Sequence, residues 1–260
     1  VIEIEDESPP IFEPKEKGFF PLLGESFKFF LLHLPAIATI VVPVFVVVEF
    51  LVPLLSNFIP DLAEGMTGIG FLDDILSEII RMIIIALIGA IIGGIAWIAT
   101  IRVIASSIRG EKIPPIQAMK DGMEMLPMFV ATAILYYLIV AIGFILLIVP
   151  GVIAWIYFIF WQFSYVLRGK GAFSALTYSK DLVSENFIRV ALNVVGISIV
   201  MYVLNTFVIG LIAGTIAGLV GEDDSIPYLL VDAIFTALGK VLEGVRIIFM
   251  LSLFKDLEKD

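Results

Sequence analysis

Of the 260 residues, 60% are hydrophobic and only 16% charged, against roughly a quarter charged in ordinary soluble domains, so a water-soluble fold is excluded. The formal charge of −10 argues against a nucleic-acid partner, which needs basic surface to neutralise phosphates. The absence of cysteine removes disulfides, thiolate metal ligands and cysteine nucleophiles.

The first stretch, residues 1–18, is acidic and proline-containing, lacks the positive start and apolar core of a signal peptide, and reads as a mobile cytoplasmic tail. Residues 19–260 read as a single transmembrane domain. Apolar runs fall at about 29–53, 79–101, 126–149, 151–167, 188–220 and 228–254. The second contains MIIIALIGAIIGGIAWIATI, about the 20 residues a helix needs to cross hydrocarbon. None shows the strict alternation of a membrane barrel strand, so the fold class is an all-α integral membrane protein with six transmembrane helices. Pro35, Pro43 and Pro53 predict a bent first helix. The PG pair at Pro150 and Gly151 lies in IVPGV, which reads as a tight turn between the third and fourth spans.

Orientation follows from the basic residues, which concentrate in short cytoplasmic loops. Of the sixteen lysines and arginines, all but Arg81, Lys240 and Arg246 fall on the side of the termini, which places a multi-pass protein in the cell membrane with both termini in the cytoplasm. Before each odd-numbered span comes a short, partly polar segment: GESFKFFLLHLP, IQAMKDGMEMLP and AFSALTYSKDLVSENF. In the third, Phe173, Leu176, Val183 and Phe187 share one face while Lys180 and Asp181 point elsewhere. Each segment is expected to lie on the inner membrane surface, turning at Pro35, Pro127 and Asn186, which gives three elbow-plus-hairpin units in one bundle. Glycines four apart, Gly210, Gly214 and Gly218 in the fifth span and Gly89 and Gly93 in the second, read as faces of close helix contact, within the chain or with a second copy or another membrane protein.

The stretch Val149 to Val190 resembles the membrane domain attached to some glycerophosphoryl diester phosphodiesterases and its relatives. The likeness is carried in order by Pro150, Gly151, Arg168, Gly169, Ala175, Leu176, Ser179 and Asn186, and it departs at Tyr157, where such proteins often have arginine. The resemblance implies the six-span layout and not hydrolysis, because in those enzymes catalysis belongs to a separate barrel domain that these residues do not include.

Ionisable groups within hydrocarbon are costly and mark functional candidates. The last span carries Lys240, Glu243 and Arg246, and a rise of about 1.5 Å per residue puts Glu243 roughly 18 Å from Lys255, near mid-depth of a core about 30 Å thick. Glu243 can reach Lys240 or Arg246 on its own helix, and Glu49 is the expected partner of Lys240 or Arg81. Gln162, Asn193, Asn205, Tyr202 and Thr206 extend the polar set. Two readings stand: a closed network that fixes helix register, as in a non-transporting scaffold binding membrane lipids or a partner protein, or the lining of a route for an ion or a lipid-related polar solute. No enzymatic activity is expected, because Ser106, Ser107 and Ser179 lack a base, His33 being the one histidine and remote in sequence. The acidic pairs Asp73, Asp74 and Asp223, Asp224 read as solvated loop charges without calcium-loop spacing, so neither a metal nor a cofactor is expected.

Overall fold

A computed structural model of the protein describes residues 18–56, 66, 68–220 and 225–258. The acidic tail expected at residues 1–18, apart from Gly18, most of the first external connection, and Asp223 and Asp224 lie outside the described residues.

The described chain is helical throughout: α1 (Phe19–Ser56), α2 (Gly70–Ile108), α3 (Pro115–Leu146), α4 (Ile148–Tyr157), α5 (Trp161–Arg168), α6 (Ala172–Ser184) and α7 (Phe187–Val203), then a π-helical segment (Leu204–Gly210), α8 (Leu211–Val220) and α9 (Ile226–Leu257). Five segments are long and apolar enough to cross a bilayer, namely Phe19–Leu51, Ile91–Ile108, Pro115–Leu146, Ile148–Arg168 and Phe187–Val220, as fits a membrane protein. With 32 residues, about 48 Å of helix, α9 has the length for a sixth crossing, but Lys240, Glu243 and Arg246 set it apart from the apolar five.

The elbows differ from expectation in two of three places. α1 and α3 run unbroken past Pro35 and Pro127, so neither proline separates two helices. Phe19 stacks against Phe249 at 5.4 Å, while Phe30 and Ile37 both lie beside Gly244. Eleven residues of α1 therefore advance past only five of α9, so the two helices cross at an angle. α6 is the one elbow that forms its own helix. Its packed face is Ala175, Leu176, Ser179 and Val183, and Phe187 stacks on Tyr157 at 5.0 Å. Phe173, expected on that face, is instead 67% exposed to the surroundings.

α6 holds a break in the fourth crossing. Between α4 and α5 the chain makes a turn at Phe158–Phe160, and Ser179, fully buried, satisfies both sides of it. Its hydroxyl accepts from the Phe160 amide at 3.0 Å and donates to the Tyr157 carbonyl at 2.9 Å. Leaving that buried amide unpaired costs about 1–3 kcal/mol. Ser179→Ala is therefore expected to lower the thermal unfolding midpoint of the purified protein, and an unchanged midpoint would mean the break is held by other contacts.

The turn between α3 and α4 is tighter than the PG pair alone implies. Only Leu147 is extended, with φ −163° and ψ 151°, and Pro150 and Gly151 already belong to the start of α4. Gly143 and Gly151 meet where the helices part: a Cβ built on Gly143 comes within 2.9 Å of the Gly151 Cα.

Packing is concentrated toward the end that carries both described termini. There Arg168 makes a bidentate pair with Glu258, at 2.7 and 2.5 Å, Tyr178 donates to the same carboxylate at 2.7 Å, and Arg189 pairs with Asp256. Burial, and after it the bond to Glu258, pushes the Tyr178 hydroxyl's pKa up. Toward the other end the segment Phe187–Val220 and the start of α9 lose their neighbours. No described residue of the chain from Tyr202 to Val220 is buried, and before Gly239 only Ala233 and Ala237 of α9 are.

Candidate functional site

The charges of α9 are not scattered around the helix. Asp232, Thr236, Lys240, Glu243 and Arg246 are spaced by four, four, three and three residues, which puts them on one face. That face looks across to the π-helical segment and α8, and the gap between is a cavity of about 640 Å³ lined by all five together with Ser198, Tyr202 and Asn205.

Within it the one ion pair joins Glu243 Oε2 to Arg246 Nε at 2.5 Å, with the side chains 23% and 42% exposed. The contact is a close charge pair without hydrogen-bond alignment, since the buried Oε2 accepts no properly oriented hydrogen bond. Lys240 has no carboxylate partner among the described residues. Its ammonium lies 5.6 Å above the ring of Phe45 on α1, a cation–π contact. The pairing expected of Glu49 with Lys240 or Arg81 does not form among the described residues: Glu49 lies one turn beyond Phe45, and Arg81 meets Glu78 at 3.0 Å on its own helix. Two residues of the sequence-predicted set therefore stand apart from the cavity. Asn193 does as well, its side-chain amide donating to the Arg189 carbonyl at 2.8 Å.

The opposite wall explains the room. Its helix is π-wound from Leu204 to Gly210, a form that collects at functional sites because it displaces backbone from regular bonding. Asn205 sits there, donating to the Met201 carbonyl at 3.0 Å, and its Oδ1 faces α9 so closely that a Cβ on Gly239 would come within 2.6 Å of it. Gly210 and Gly214, expected as contact faces, line the cavity instead. Around Gly214 and Gly218 a built Cβ meets nothing within 4 Å, so these glycines leave space rather than close it.

A second cavity of about 260 Å³ backs onto the first through Arg246, which lines both. Arg246 lies 5.5 Å from the Trp97 ring, and Trp97 Nε1 donates to Gln162 Oε1 at 2.6 Å. Gln162 thus reaches the charged set through an aromatic intermediary.

Sequence reasoning missed Asp232 and Thr236, which sit eight and four residues before Lys240. The helical spacing carried that signal. Thr206, by contrast, does not line either cavity. His33 is a packed histidine whose Nδ1 donates to the Phe29 carbonyl at 2.9 Å while its ring stacks on Phe29. Asp73, expected to be solvated, is buried in the first turn of α2.

Residues 79–257 match a family described as a domain of unknown function, DUF7847. No curated protein and no solved structure matches the chain. Nothing in these comparisons links it to the phosphodiesterase membrane domains that its PG motif resembles.

Proposed function

We propose, from the premise that this chain belongs to the DUF7847 family, that residues 19–260 form one six-span membrane domain with both termini cytoplasmic, whose charged groove takes up the polar head of a lipid-related solute and lets it pass along the last span. The protein acts by binding and passage, without catalysis.

One observation carries this reading: the face Asp232–Arg246 of α9 fronts an open cavity of about 640 Å³ instead of a packed helix. A register-fixing network closes its charges on one another, because ions in hydrocarbon are stable only when paired. Here Glu243 and Arg246 pair, while Asp232 and Lys240 have no ion-pair partner among the described residues and both line the cavity. Alternating signs along about 21 Å of helix suit a head group that carries charge of either sign, and the apolar surroundings suit its tail. With Lys255 taken at the inner interface, Arg246, Glu243 and Lys240 fall about 14 to 22 Å along the helix, where free water is scarce and a protein-lined polar path has most effect. Asp232, at about 34 Å, falls at the outer mouth.

The test fills the groove from its glycine wall. Gly214→Leu introduces no clash, since space is open there, and leucine is the better helix former by most of 1 kcal/mol. Proteoliposomes carrying this variant should move head-group-labelled phospholipid between leaflets at least about tenfold more slowly than the native chain, with an unchanged unfolding midpoint. Equal rates, or no transfer by the native protein, favour the scaffold reading, in which lipids or a partner membrane protein bind without passing.

A further inference from the structure

The second cavity has a chemistry of its own. All three tryptophans of the protein, Trp97, Trp155 and Trp161, line it, together with Tyr136. Trp161 and Tyr136 are held in place by ring contacts at 5.8 Å, and Phe129 packs on Trp161 at 4.8 Å, so the flat walls are preformed. Besides Ser198, whose hydroxyl donates to the Val194 carbonyl, two polar side chains break the apolar lining. Gln162 must present its oxygen to Trp97, because an indole N–H only donates, and this orients the amide nitrogen away from that bond. Nε2 then has no partner among the described residues. Arg246 supplies the other donor, at the border with the charged groove.

From this combination we infer that the cavity is a binding site for a membrane-soluble quinone-type head group: a single flat ring bearing carbonyl acceptors. Offset stacking on indole and phenol rings holds the plane of the ring. The Gln162 amide and the Arg246 guanidinium, which both border Trp97, are the donors available to carbonyl oxygens of such a ring. At about 260 Å³ the space falls just below the range of roughly 300–1,000 Å³ typical of drug-sized ligands, so it admits one ring and not a fused skeleton. A quaternary ammonium, the usual guest of an aromatic cage, is disfavoured: Arg246 is cationic, and Glu243, its partner, lines the groove and not this cavity.

Because every tryptophan of the chain borders the cavity, intrinsic fluorescence reports on its occupancy. Titrating the purified full-length protein with decyl-benzoquinone should quench this emission saturably, whereas decanol should leave it unchanged and dodecyltrimethylammonium should not displace the quinone. Gln162→Glu keeps the acceptor that Trp97 needs but removes the donor, and is expected to weaken quinone binding by about tenfold or more. Val140→Phe puts a ring into the cavity from its wall and should leave only weak, linear collisional quenching. Linear quenching of the native chain, displacement by the ammonium amphiphile, or full affinity in both variants would overturn the assignment. Gly214→Leu, which blocks only the groove, should bind quinone normally, so this site and the head-group route stand or fall separately.

Discussion

Replacing Glu243 alone by leucine is expected to destabilise the protein by at least about 2.5 kcal/mol and to lower its unfolding midpoint by several degrees. Glu243 lies about 18 Å along α9 from Lys255, and its carboxylate is the described ion-pair partner of Arg246. Without it a guanidinium is left alone at mid-depth, where even the most lenient insertion scales assign about 2.5 kcal/mol to an unpaired cation. Replacing both, Glu243→Leu with Arg246→Met, should recover most of that loss, since a paired charge is often exchanged for apolar groups with little effect on stability. The same double variant should move labelled head groups at least about tenfold more slowly than the native chain. Native transfer rates in a stable double variant would remove the pair from the route and leave it a structural clasp.

Gly143→Leu should be the most damaging single substitution, lowering the unfolding midpoint further than Ser179→Ala and reducing the yield of monodisperse protein. Overpacking a core costs about 1–3 kcal/mol when side chains can adjust. Here the first atom beyond the backbone already meets backbone: Gly151 Cα at 2.9 Å, Gly151 N at 3.1 Å and the Pro150 carbonyl at 3.2 Å. None of these can rotate away, so α3 and α4 must separate. Gly214→Leu, the same change at a position where a Cβ meets nothing within 4 Å, is the matched control and should leave the midpoint unchanged. Similar midpoints for the two variants would show that the hairpin relaxes without loss.

These contrasting glycines mark how far the sequence could be read. Periodicity and length made the apolar helices legible, because bilayer thickness demands long runs and nothing in soluble chemistry produces them. Spacing alone also placed Lys240, Glu243 and Arg246 on one face. What faces a helix is a tertiary property. Gly210 and Gly214 share the four-residue spacing of contact glycines, yet they border a cavity, while Gly143 and Gly151, separated in sequence by a turn, bring backbone against backbone. Charge and depth make Glu49 the expected partner of Lys240 or Arg81, but Phe45, one turn earlier on the same helix, takes the Lys240 ammonium. Phe173 follows the period of α6 and still faces outward, in the first turn of that helix. The aromatic cavity gave no linear signal, since Trp97, Tyr136 and Trp161 come from three different helices.

The one-residue link at Leu147 bears on how the chain enters a bilayer. Ile145, Leu146, Leu147, Ile148 and Val149 are all exposed and all apolar, so the tip of the α3–α4 hairpin has no charge to translocate and no hydrated loop to drag behind it. Independent insertion of each helix, the usual first stage of membrane folding, requires a connection long enough to leave one helix in place while the next arrives. A single extended residue spans at most about 3.6 Å and provides none. The pair is therefore expected to enter as a preassembled wedge, led by its apolar tip and held back at its open end by the charges of Arg109, Lys112 and Arg168.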